Sequence, residues 1–309
     1  VTRHFITIED QSKDDLASIY ELATAPINDE LLRGQGVALV FERPSLRTRA
    51  SSASAVAQLG GYATFFSDDE IGMDTRESAE DIARTLNEMY AIAAMRLKNH
   101  GAFARMKAAT KDQLSLINLL SDMAHPTQAI ADVLTLADEF AGGDVQSLRG
   151  LRVAYVGDAT NVTRSLAVAL LRIGVDVTVG APQGYQLTTE GLENPFAVEG
   201  KKVGELRLTD SAADAVAGVD AVYTDAWVSM GMEAETAKRR VDLASFKVTS
   251  ELMALADKKA ILLHCLPAHR GDEITDDVLD SDASRVWRQV FHRRSAMLGV
   301  VRWIKEEQS

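Results

Sequence analysis

Short apolar runs alternate with helix-length amphipathic stretches along the whole chain. A strand covered on both faces reads as a nearly continuous apolar run, so this alternation predicts parallel sheets flanked by helices. In the first half, VALVF (37–41), YATFF (62–66), AIAAM (91–95) and LSLINLL (114–120) read as strands, with helices over 46–59, 77–89 and 102–109 and a further helix after His125. The stretch EFAGGDVQSLRG (139–150) carries the glycine pair and polar residues of a helix stop and a domain boundary. The pattern then restarts with LRVAYVGD (151–158), a helix over 162–173, VDVTVG (175–180), a small helix, VDAVYTD (219–225) and KKAILLHCLP (258–267). The final segment, 284–304, has helical period and no strand after it. The fold class expected is therefore α/β, with two doubly wound parallel-sheet domains joined by helices. The first domain is expected over 1–145, the second over 146–284, and the last helix (285–309) should pack back on the first.

Composition narrows the function. The 309 residues are 46% apolar and 25% charged, ordinary for a globular protein long enough to bury two cores. Acidic residues outnumber basic ones, 45 to 33, for a net charge of −12. Broad binding to nucleic acid or to anionic membrane is thereby disfavoured, and an anionic ligand needs a local positive pocket. The single cysteine, Cys265, rules out an internal disulfide framework and a cysteine-rich zinc site, and suits a reducing compartment. No apolar run approaches the roughly 20 residues of a membrane span, and the first residues lack the apolar core of a signal peptide. A cytoplasmic location is expected. YVGDATN lacks Gly-x-Gly-x-x-Gly, which argues against a nicotinamide oxidoreductase despite the doubly wound second half.

The chemistry-bearing stretches lie where these strands end. After VALVF comes FERPSLRTR, with Ser45 as candidate helix N-cap and the amides of Leu46, Arg47 and Thr48 projecting past it. Two arginines in a first helical turn meet the positive end of the helix dipole, so a nearby anion is implied. Fixed N–H donors, hydroxyls and a guanidinium there would cradle a phosphate. A capped helix whose Arg47 and Arg49 pair with surface acids fits the same spacing. His125 precedes Pro126, a favoured first helical residue, and that position favours neutral imidazole; a plain helix start reads identically. Asp225, closing VDAVYTD, suits either an ammonium partner or a helix cap.

PSLRTR, Arg96 at the third strand's end, HPTQAIAD (125–132), DAWVSMG (225–231) and HCLPAHRG (264–271) stand in the order found in the carbamoyltransferases. The chain resembles that family over essentially its whole length. HCLPAHRG and Asp-x-x-x-Ser-Met-Gly resemble the members that act on ornithine. The resemblance implies transfer of a carbamoyl group from carbamoyl phosphate to the δ-amine of L-ornithine, without cofactor or metal. It implies that Arg47, Arg96, His125 and Cys265 form the catalytic centre. Carbamoyl phosphate would be held by Ser45, Leu46, Arg47, Thr48, Arg96, His125, Gln128, the carbonyls of Cys265 and Leu266, and Arg293; Arg294 leaves the last open by one position. Ornithine would meet Asn161, Asp225, Ser229 and Met230. Cys265 is set aside as a nucleophile, because the donor is already activated and the family transfers directly; it would line the pocket beside Asp225. Arg49 would pair with neighbouring acids and stiffen the loop.

Two positions depart from the family pattern. Leu46 stands where threonine is usual, and Glu70, in DDEIGMDTRES, is the nearest counterpart of a glutamine that reaches carbamoyl phosphate. By resemblance that loop serves a neighbouring subunit, which implies a homotrimer or a multiple of trimers. Putrescine, acylated ornithine or aspartate as acceptor, and a nonenzymatic metabolite-binding homologue, are the alternative readings.

Overall fold

The computed structural model describes residues 2–111, 113–189, 204–228 and 232–306. Among them, nine strands form two sheets, and every pairing is parallel. The first sheet comprises β1 (Gly36–Phe41), β2 (Tyr62–Ser67), β3 (Ile92–Arg96) and β4 (Ser115–Leu120), in the order β2-β1-β3-β4. The second comprises β5 (Arg152–Val156), β6 (Asp176–Gly180), β7 (Leu206–Thr209), β8 (Ala221–Thr224) and β9 (Ile261–His264), in the order β7-β6-β5-β8-β9. This is the architecture the alternating apolar runs predicted.

Strand order reverses direction once in each sheet, between β1 and β3 and again between β5 and β8. Loops leaving such a pair diverge and open a crevice at the carboxyl ends, where open α/β sheets hold ligands. Phe41 faces Arg96 in the first register, and Thr224 faces His264 in the second. FERPS, Arg96, Asp225 and Cys265 therefore all lie at or just past carboxyl ends.

Among the elements not read from the sequence are a strand and an amphipathic helix. β7 is an edge strand whose residues are half-buried or exposed, so LRLT shows no apolar run. The helix Lys13–Thr24 begins in a capping box of Ser12 and Asp15 and buries Leu16, Ile19, Tyr20 and Ala23.

The chain divides into two compact units, Val1–Ala131 with Phe291–Ser309, and Asp132–Val290. Both crossings fall inside helices, Pro126–Phe140 and Val286–Lys305. In the first unit, Val40, Met95 and Leu116 of the sheet pack with Ile82 and Leu86 of helix Ala79–Asn87 and with Phe103 and Met106 of helix Gly101–Ala109. In the second, Val156, Val222 and Leu262 pack with Val216, Phe246, Ile274 and Val278. The last helix returns to the first unit and packs on Lys13–Thr24. A Cβ on Gly299 would lie 2.4 Å from the Ile19 carbonyl oxygen, so only glycine permits this approach. Arg302 donates to the carbonyls of Ala25 (3.0 Å) and Pro26 (2.9 Å), and the Trp303 indole donates to Asp15 at 3.0 Å. No helix among the described residues is long and apolar enough to cross a membrane.

Candidate active site

In the first unit, β1 runs into the loop that starts helix Leu46–Gln58. Ser45 is its N-cap in extended conformation (φ −160°, ψ 112°) and accepts from the Thr48 amide at 3.4 Å. Its hydroxyl also donates to Thr48 Oγ1 at 3.0 Å. Thr48 is buried and Arg47 half-buried, whereas Leu46 is 78% exposed. The side chain that departs from the family pattern thus points into solvent, and its backbone stays in the first turn.

The Arg49 guanidinium lies over the Phe65 ring, 4.0 Å from its centroid. It is also near enough to Glu70 to favour that carboxylate, so its anchorage is cation–π stacking together with an acid, not ion pairing alone. Glu70 itself accepts from the Ser67 amide (2.7 Å) and hydroxyl (3.0 Å), closing a capping box on the short helix Asp68–Ile71. Those bonds, chiefly the backbone one, hold its carboxyl below the usual range. The sequence signal was local: SDDE is a Ser-x-x-Glu box.

His125, Gln128 and Arg293 converge on Thr48 inside this unit. Arg293 donates to Thr48 Oγ1 at 2.9 Å, to His125 Nε2 at 3.0 Å, and to Gln128 Oε1. All four are at least nine-tenths buried, with Arg96 beside them at the end of β3. Burial, then the charges of Arg293 and Arg96, holds the His125 imidazole well below its ordinary pKa. It is therefore neutral near pH ~7. Arg294, one residue on, stacks over Phe291 at 4.9 Å. Adjacent helical residues point about 100° apart, which separates the two arginines.

In the second unit, Asp225 follows β8 and Cys265 follows β9, and the thiol donates to Asp225 Oδ1 at 3.0 Å. Burial pushes the Asp225 carboxyl up, with His264 and the thiol bond opposing. Leu266 adopts φ 58°, and its amide donates to His264 Nδ1 at 2.8 Å. His264 Nε2 meets Glu273 at 3.1 Å, both side chains wholly buried. Cys265 and Leu266, whose carbonyls are expected to meet the carbamoyl group, lie in the second unit, the Cys265 thiol on Asp225. Asn161 opens helix Asn161–Arg172, its Oδ1 accepting from the next amide at 3.0 Å. Ser229 and Met230 lie outside the described residues.

Asp225, His264 and Cys265 bring three metal-ligating atoms within 4.8 Å of one another. His264 has one ring nitrogen accepting from Leu266 and the other facing Glu273, so its imidazole has no lone pair to spare. Two remaining ligands fall short of a structural zinc set.

Sequence reading also missed a buried ion pair. Arg239, from helix Thr236–Asp242, meets Asp158 at 2.5 Å just beyond β5 and donates to the Trp227 carbonyl at 3.0 Å. The pair ties the Asp225 loop to the segment leading to Asn161. In ETAKRRVD, Arg239 looks like one charge among several on a solvated helix, and no local signal distinguishes it.

Comparison with known proteins bears on this site. The carbamoyl-P binding domain of the aspartate/ornithine carbamoyltransferases matches residues 3–138, and their Asp/Orn binding domain matches residues 149–304. The ornithine carbamoyltransferase of Pyrobaculum islandicum is 39% identical over 302 residues, spanning 94% of this chain and 95% of that protein. That of Symbiobacterium thermophilum is 36% identical over 97% of this chain and 96% of its own. Among solved structures, ornithine carbamoyltransferase from Pyrococcus furiosus superposes with a TM-score of 0.89 at 34% identity, covering 97% of both chains. The Thermus thermophilus enzyme gives 0.86 at 32% identity, covering 99% of this chain and all of that one.

Proposed function

The chain belongs to the aspartate/ornithine carbamoyltransferase family, and from that premise we propose that it transfers the carbamoyl group of carbamoyl phosphate to the δ-amine of L-ornithine, yielding L-citrulline and phosphate. The observation that carries the reading is the buried cluster of Thr48, His125, Gln128 and Arg293 with Arg96 beside it, in which two guanidinium cations and neutral hydrogen-bonding side chains gather. Such a cup suits an acyl phosphate.

In this reading residues 1–145, with the returning helix 285–309, bind carbamoyl phosphate, and residues 146–284 bind ornithine. Ser45, the Leu46 amide, Arg47 and Thr48 hold the phosphate at the helix N-terminus. Arg96 bridges phosphate and carbonyl oxygen, and His125 and Thr48 donate to the developing oxyanion. One lost donor of this kind raises the barrier by about 3 kcal/mol. Gln128 and the carbonyls of Cys265 and Leu266 take the carbamoyl amino group. Asp225 accepts the α-ammonium of ornithine, with Asn161, Ser229 and Met230 completing its site and Cys265 orienting Asp225.

The uncharged δ-amine attacks the carbamoyl carbon, a tetrahedral oxyanion forms, and the carbon–oxygen bond to phosphate breaks. The departing phosphate accepts the amine's proton. An alkyl ammonium titrates near ~10.4 in water, so rate should rise with pH through an ionisation that belongs to the substrate. Asp225, an acid just past β8, favours a free α-amino group over an acylated one. A cytoplasmic homotrimer, or a multiple of trimers, with no nucleic-acid or membrane partner accompanies this proposal; native mass spectrometry tests the assembly.

The deciding assay offers carbamoyl phosphate with ornithine, putrescine, N-acetylornithine or aspartate and identifies the product. Citrulline from ornithine alone is expected. Product from another amine moves the acceptor, and no product from any overturns the enzymatic reading.

A further inference from the structure

Arg293 makes bonds whose direction is fixed by chemistry. A guanidinium has N–H donors and no acceptor, so every partner it meets must accept. His125 Nε2, 3.0 Å from Arg293 Nη1, therefore presents its lone pair, and the one hydrogen of the neutral ring sits on Nδ1. Gln128 likewise must turn its oxygen to the same Nη1 group, which turns its amide N–H donors away from the guanidinium. Thr48 Oγ1 accepts from Nη2 at 2.9 Å and also from Ser45 at 3.0 Å, so its own hydrogen must point elsewhere.

We propose that Arg293 is a positioning residue that sets the donor and acceptor pattern of this cup before any ligand arrives: His125 held as the Nδ1–H tautomer, and Gln128 with its oxygen toward the guanidinium. The consequence for catalysis rests on the carbamoyl phosphate reading. While Arg293 holds Nε2, the imidazole hydrogen available to a developing oxyanion is the one on Nδ1. Gln128 can still accept from a carbamoyl amino group, but only through the second lone pair of an oxygen already engaged. The ligand thus meets a pattern fixed by one side chain on the last helix, not by the motif HPTQ alone. The depressed pKa of His125, from burial first and then from the charges of Arg293 and Arg96, agrees with this, since the ring stays neutral.

The test is nitrogen NMR on the full-length protein labelled at histidine, with the His125 signals identified by their loss in His125→Asn. The expected wild-type spectrum has the proton on Nδ1 and a lone-pair nitrogen at Nε2, unchanged from mildly acid to mildly alkaline pH. Arg293→Met, which keeps volume and removes all donors, should release the ring to the Nε2–H form and raise KM for carbamoyl phosphate about tenfold or more, while KM for ornithine moves less than about twofold. A wild-type His125 protonated on Nε2 overturns the inference, whether or not any variant folds. So does an unchanged tautomer in Arg293→Met. Protein with the expected tautomer that carbamoylates no amine leaves this inference standing and removes the proposed function; active enzyme with Nε2–H does the reverse.

Discussion

Replacing Arg239 by methionine isolates the buried charge that its partner leaves behind. The guanidinium lies 2.5 Å from Asp158, with the two side chains only 7% and 11% exposed. Removing one member of such a pair strands the other, at a cost of about 3–5 kcal/mol. The Trp227 carbonyl loses a donor as well, adding about 1 kcal/mol. The third bond, to Glu235, ends on a carboxylate 51% exposed and contributes little. A loss of about 4 kcal/mol near pH ~7 is a large share of the roughly 5–15 kcal/mol that stabilises a typical domain.

The pH dependence carries a sign. Burial raises the Asp158 carboxyl even with Arg239 present, and removing the cation raises it further. A carboxyl whose pKa is higher folded than unfolded binds more protons in the native state. Its destabilisation is therefore absent at low pH and grows as pH rises from the unfolded value through the folded one. The gap between wild type and Arg239→Met should shrink as pH falls toward ~5, where the stranded acid becomes neutral. Urea unfolding at both pH values, followed by circular dichroism and by the fluorescence of the adjoining Trp227, measures it. Adding Asp158→Asn to Arg239→Met should recover at least half of the loss. A gap below about 1 kcal/mol at neutral pH, or one equal at both pH values, would refute the reasoning.

Three further outcomes are expected. Asp225→Asn removes the charge proposed to meet the ornithine ammonium; a charge-assisted bond of about 1.5–3 kcal/mol predicts KM for ornithine roughly 10–150-fold higher, with carbamoyl phosphate binding by calorimetry unchanged. His125 is held below its unfolded value of 6.5, so the native state stays neutral while the unfolded chain protonates. It therefore contributes stability that is present above that value and lost as pH falls; His125→Asn should flatten the acid limb of a thermal-unfolding profile and impair turnover at every pH. Leu46→Thr restores the family's usual residue at a side chain 78% exposed, and should shift stability by no more than about 0.5 kcal/mol and KM for carbamoyl phosphate less than threefold. A larger KM change would mean that this side chain turns inward when ligand binds.

Much of the molecule was legible because its signals are local. VALVF, AIAAM and LSLINLL are strands buried on both faces, and no helix-period pattern imitates them. The cap at Ser45 follows from a hydroxyl residue placed one position before the helix. SDDE is equally local, a Ser-x-x-Glu box in which Glu70 is engaged by Ser67. The edge strand β7 was hidden for a physical reason: with one neighbouring strand among the described residues and its side chains half-buried or exposed, it has no need of an apolar run.

The chain's own order of residues determined the two parallel sheets, the motifs at their carboxyl ends and the family to which they belong, because strand burial and cap chemistry act between near neighbours. Folding in three dimensions decided which charges are used. Arg293 and Arg294 are indistinguishable as letters, yet one meets Thr48, His125 and Gln128 while the other rests on Phe291. Arg239 finds Asp158 across 81 residues, and Arg293 reaches Thr48 across 245. Electrostatic pairing depends on distance and burial, and neither quantity exists until the backbone has brought remote segments together.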